Sequence, residues 1–209
     1  MKILHHLLPA VVLLAPAVPA SAAIVYSGAV NIPVPYTFNG VYLNVVTGAT
    51  SLSEPPDFYG SPSAAWINLA FAGVDVVTGD GLAPAALPSG EVVNIPYNTL
   101  IDSTGAYVSG PNASSTHLGP GPGQFTASTP GYIGFRINPS GAGDQFGWIR
   151  VSLNDDNSGG TIHGYAYETI AGLAIPAGVP EPGTTSVILL TATTLLLRRR
   201  TPGNPARRR

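Results

Sequence analysis

Tyr132-Ile133-Gly134-Phe135-Arg136-Ile137, Trp148-Ile149-Arg150-Val151-Ser152-Leu153 and Thr161-Ile162-His163-Gly164-Tyr165-Ala166-Tyr167-Glu168 decide the fold. In the first stretch Ile133, Phe135 and Ile137 alternate with other residues, and in the second Ile149, Val151 and Leu153 do the same. A period of two places alternate side chains on one face, so each stretch reads as a half-buried strand. The connectors Asn138-Pro139-Ser140-Gly141-Ala142-Gly143 and Asn154-Asp155-Asp156-Asn157-Ser158-Gly159-Gly160 are dense in turn formers. Three antiparallel strands in a meander is the simplest arrangement.

Working backwards, Ile24–Val30, Val41–Thr47, Ala65–Phe71, Val74–Thr78 and Glu91–Ile95 are weaker strand candidates. Ser53–Asp57, Leu82–Gly90 and Asn112–Gly123 read as loops between them. The chain's 25 glycines and 21 prolines suit short strands and tight turns, and no strand–helix alternation suggests a parallel sheet. The expected fold is all-β, a single antiparallel β-sandwich of jelly-roll type over residues 23–178. It is flanked by an N-terminal signal helix and a C-terminal hydrophobic helix. About 155 residues suffice for one domain with its own core.

The N-terminus has a short polar start with Lys2, an apolar run from Leu7 to Val18, and then Ala20-Ser21-Ala22. Small residues at Ala20 and Ala22 fit a signal peptidase, so residues 1–22 are expected to be removed on export. The run is too short and too rich in proline for a comfortable spanning helix.

At the other end, Pro180-Glu181-Pro182 precedes an uncharged run over 183–197, then Arg198-Arg199-Arg200 and a final Arg207-Arg208-Arg209. The prolines cannot join the helix behind them. The arginines stop transfer and hold this end in the cytoplasm. The arrangement of motif, hydrophobic helix and arginine cluster at 179–209 resembles the PEP-CTERM sorting signal. The resemblance implies recognition by an exosortase-type membrane enzyme and display at the surface, or in the extracellular matrix, of a Gram-negative bacterium. The inner-membrane-anchored precursor would be processed near the motif, in a setting of exopolysaccharide production. The stretch from Tyr132 to Gly178 also resembles a segment common in such proteins, through Gly134-Phe135-Arg136, Gly147-Trp148-Ile149-Arg150 and Tyr165-Ala166-Tyr167-Glu168. That likeness implies no activity.

Residues 23–178 hold only Arg136 and Arg150 against ten acids, a net charge of about −8. Nucleic acid is not expected as a partner, because phosphate contacts need a surplus of cations. The absence of cysteine excludes disulfides and thiolate metal sites. No cofactor is expected. Asp155 and Asp156 are a weak Ca²⁺ candidate, with Asp144 as an extra ligand, but their spacing departs from an EF-hand loop and a solvated turn is the better reading. His117 and His163 sit in no metal or nucleophile spacing.

If the aliphatic face of the meander points inward, Tyr132, Arg136, Trp148 and Arg150 share the other face, and Tyr165 and Tyr167 could join them. Aromatic rings beside arginines suit saccharide stacking. Alternatively the face is covered, with Trp148 as core and the arginines paired to Glu168 or another acid; this is the favoured reading. The expected function is that of a non-enzymatic exported surface or matrix protein. A saccharide-binding module is the alternative, and a secreted hydrolase is a more distant third.

Overall fold

A computed structural model describes residues 23–179, apart from 74, 109–113, 116–118, 120–122 and 155–157. The expected terminal helices, Ala20 and Ala22, the motif Pro180-Glu181-Pro182 and the stop-transfer arginines Arg198, Arg199 and Arg200 lie outside the described residues. So do His117 and the calcium candidates Asp155 and Asp156.

In chain order the strands are β1 (Ile24–Tyr26), β2 (Ile32–Val34), β3 (Val41–Asn44), β4 (Thr50–Ser51), β5 (Trp66–Ala70), β6 (Asp75–Thr78), β7 (Leu82–Pro84), β8 (Leu100–Ile101), β9 (Ser114–Ser115), β10 (Pro130–Ile137), β11 (Gln145–Ser152), β12 (Gly160–Glu168) and β13 (Ile175–Pro176). Among the described residues the only helical element is a single 3₁₀ turn at Phe71–Gly73. Every pairing is antiparallel. One sheet runs β1-β12-β11-β10-β7, with β2 also on β12; a second runs β4-β3-β5-β6-β9; β13 and β8 form a short ribbon.

The expected meander is β10-β11-β12. Pro130 pairs with Ser152 and Ile137 with Gln145, so these two strands are in register along their whole length. The aliphatic face is buried as expected: Ile133, Phe135, Ile137, Ile149, Val151 and Leu153 join one hydrophobic cluster with Val41, Leu43, Ile67, Leu69 and Val76 of the second sheet. Three expectations fail. Ser114–Ser115, inside the expected loop Asn112–Gly123, is a two-residue strand paired with β6. Leu82–Pro84 is a strand on the edge of the meander, where the sequence reads as loop. Glu91–Ile95 forms only isolated bridges, Val92 to Ala86 and Asn94 to Ile133.

The motif glycines have a steric role. Phe135 lies across from Gly147, and Gly134 across from Trp148. A Cβ on Gly147 would come within 2.2 Å of the Phe135 ring and 2.5 Å of the Ala166 carbonyl oxygen. On each strand a glycine therefore faces the partner's aromatic side chain, and at Gly147 the missing Cβ is what admits the ring.

Candidate functional site

The register fixes the second face of the meander. Tyr132 pairs with Arg150, and Arg136 with Phe146, so Tyr132, Arg136, Phe146, Trp148 and Arg150 share one face. On β12, Ala166 pairs with Trp148, whereas Tyr165 pairs with Ile149 and Tyr167 with Gly147. Tyr165 and Tyr167 thus lie on the opposite face, 8% exposed, inside the cluster shared with the second sheet. They do not join the expected strip, because the period of two puts them in step with Ile149 rather than Trp148.

Trp148 is only 2% exposed. It is buried with Ile101, Phe146, Ala166, Ile175 and Ala177, and Ile24 and Tyr132 pack against the same cluster. The Tyr132 ring meets the indole edge-on at 5.7 Å, and Tyr26 lies at 5.9 Å. The β8–β13 ribbon thus contributes Ile101 and Ile175 to the cover of this face. Trp148 is core, and a flat strip presenting it to solvent together with both arginines does not exist. Among the described residues the indole Nε1 has no hydrogen-bond partner, unlike that of Trp66, which donates to Asp57 Oδ1 at 3.0 Å.

The two arginines part company. Arg150 is exposed, across from Gly164. Arg136 donates to Asp144 Oδ2 at 3.0 Å, and its guanidinium lies 5.4 Å from the centre of the Tyr107 ring. Burial, reinforced by the charge of Asp102, pushes the Tyr107 phenol up to about 12 although Arg136 acts the other way. It stays protonated and donates to the Asp102 carbonyl oxygen at 2.7 Å.

Arg136 and Asp144 line an open cleft of about 550 Å³ with Ser63, Asp80, Asn138 and Ser140. Two of these anchor the rim: Asp80 Oδ2 accepts from the Gly60 amide at 2.6 Å, and Asn138 Oδ1 from the Gly143 amide at 3.2 Å. The cleft offers one cation, two carboxylates and several neutral hydrogen-bonding groups. Among the described residues no group of three or more His, Asp or Glu side chains is placed to hold a metal ion. Asp144, the suggested extra calcium ligand, is engaged by Arg136.

Three features escaped sequence reading. His163 sits where the β11–β12 register shifts, and its Nε2 lies 2.7 Å from Ser152 Oγ. Burial, and secondarily the charge of Arg150, hold His163 below the ordinary imidazole value, so it is neutral at pH 7. No carboxylate among the described residues orients its other nitrogen, as a nucleophile–base–acid arrangement requires. The second feature is an exposed aromatic group: Tyr36 and Phe38 meet Phe71 edge-on at 5.9 and 6.1 Å, with Phe71 held at φ 47°. The third is the burial of Glu168, only 2% exposed at the end of β12; the sequence offers it as an arginine partner, but Arg136 pairs with Asp144 instead. An isolated acid at a strand end carries no signal of burial in a single sequence.

Comparison with known proteins found no match to a family model, a curated protein or a solved structure.

Proposed function

We propose that the chain is an exported, non-enzymatic bacterial surface or matrix protein, cut free of its leader after Ala22 and sorted by an exosortase-type enzyme through Pro180-Glu181-Pro182. In this reading the two larger sheets stack as a jelly-roll-like sandwich, and the hydrophobic cluster drawn from both supports that arrangement. The observation that carries the proposal is where the strands lie. Among the described residues the first strand begins at Ile24 and the last ends at Pro176, so excision of residues 1–22 and of the tail from Pro180 leaves every described strand intact. Ile24 and Ile175 also pack into the one cluster around Trp148, so both ends of the strand framework are anchored at one place. Mass spectrometry of the protein recovered from its native host tests this. A species beginning at Ala23 and ending near Pro180–Pro182 is expected, whereas intact 209-residue chain, soluble in the cytosol, would overturn the proposal.

The Arg136 cleft favours a second reading, a saccharide-binding domain. Its mixture of one guanidinium, carboxylates and amide or hydroxyl groups matches the hydrogen-bonding needs of a sugar better than those of an apolar ligand. Glycan-array binding lost on Arg136→Ala with an unchanged melting temperature would support it; binding unaffected by that change would exclude the cleft.

A further inference from the structure

Glu168 is a buried acid with no counter-charge among the described residues. Its Oε1 accepts hydrogen bonds from two backbone amides, Ile170 at 3.0 Å and Ala23 at 3.3 Å. Of the two arginines among the described residues, Arg136 is paired with Asp144, and Arg150 sits across from Gly164, four residues away along β12. A buried carboxylate held only by amides is costly to desolvate, and a paired cation offsets that cost.

The backbone nitrogen of Ala23 is the atom that leader removal would change. Cleavage of the Ala22–Ala23 bond adds one water: its oxygen goes to the Ala22 carbonyl carbon, giving a carboxylate, and its two hydrogens go to the Ala23 nitrogen, giving an ammonium. An amide with one N–H becomes a cation with three, at the position already within hydrogen-bonding reach of Glu168 Oε1. We propose that Glu168 is a receptor site for the protein's own new α-ammonium, and that the resulting ion pair locks β1 onto β12. Ile24 pairs with Glu168 itself, and the Thr169 amide donates to the Ala23 carbonyl oxygen at 3.1 Å, so the nitrogen is already held in place. The inference rests on the proposed cleavage after Ala22.

The sequence supplies a clean test. Lys2, in the leader, is the only lysine, so the processed chain carries a single primary amine, that of Ala23. The processed, exported protein is acetylated at that amine, which removes the charge; a second sample is reductively dimethylated, which keeps it. Acetylation is expected to lower the melting temperature by about 4 °C or more, and dimethylation by far less. Glu168→Gln keeps an accepting oxygen but no charge, so acetylating that variant should lower its melting temperature by less than about 1 °C. The amine should also acetylate several-fold more slowly in the native protein than in Glu168→Gln. Equal acetylation rates, or equal loss of stability in both proteins, would overturn the ion pair. Should Glu168→Gln fail to fold, the contrast between acetyl and dimethyl forms still decides. If mass spectrometry places the amino terminus elsewhere, the cleavage assignment fails separately. A leader redesigned so that processing leaves Ala23 first then repeats the same measurements.

Discussion

Replacing Trp148 separates a core role from a ligand-facing one. A Trp side chain buries about 200 Å², worth about 5 kcal/mol at about 25 cal/mol per Å². Against this stands its buried Nε1, which makes no hydrogen bond among the described residues and so costs about 1–3 kcal/mol. Trp148→Ala should therefore destabilise by about 3 kcal/mol, close to the lower end for large aromatic truncations. At about 2–4 °C per kcal/mol for a chain of this size, the melting temperature falls by about 6–12 °C. Trp148→Phe loses a smaller ring area but also removes the orphan donor, so its net change should stay within about 1 kcal/mol. Trp66→Phe is the control: it discards a real bond to Asp57 and should cost more than Trp148→Phe. Thermal and urea unfolding followed by circular dichroism measure all three. Two results would refute the reasoning: Trp148→Phe as damaging as Trp148→Ala, or Trp148→Ala leaving stability intact while abolishing saccharide binding.

Gly147→Ala places a methyl against the Phe135 ring and the Ala166 carbonyl, and should destabilise by about 2–4 kcal/mol in urea titrations, partly relieved by adding Phe135→Leu. Asp144→Asn breaks a half-exposed ion pair, with side chains 36% and 41% exposed on the Arg136 and Asp144 sides. Its stability should shift by less than about 1 kcal/mol, and the shift should shrink further in high salt. His163 titrates below its ordinary value of 6.5, so protonating it opposes folding. Its contribution is complete above about pH 6.5 and declines as the pH falls from there towards the lowered native value, because the unfolded chain then binds more protons. Arg150→Gln removes one cause and should move the His163 titration upward in NMR spectra; no movement would deny that the two charges interact.

The meander was legible because its alternation is strong: Ile133, Phe135 and Ile137 and their counterparts Ile149, Val151 and Leu153 form a face that cannot be left in water. Leu82–Pro84 was illegible for the opposite reason. Proline argues against an interior strand, yet β7 sits at a sheet edge, where the missing N–H is tolerated. The position of Tyr165 and Tyr167 depended on register between strands, which no single strand's pattern contains. The cover over Trp148 comes partly from Ile101 and Ile175, remote in sequence and each in a strand of two residues. Such short segments carry almost no periodic signal. The Ser152–His163 contact and the Arg136 cleft likewise arise from pairings across strands and loops.

Proline also stands in β2 as Pro33 and in β13 as Pro176, in addition to Pro84 of β7. A molecule displayed densely with its own kind is exposed to fibre growth, in which one copy extends its neighbour's sheet. Each of these prolines takes one amide hydrogen out of its strand, and beside β7 the Val108 amide already occupies the Pro84 carbonyl oxygen at 3.1 Å. On the proposed surface role, crowding would then leave the copies side by side as separate folded units.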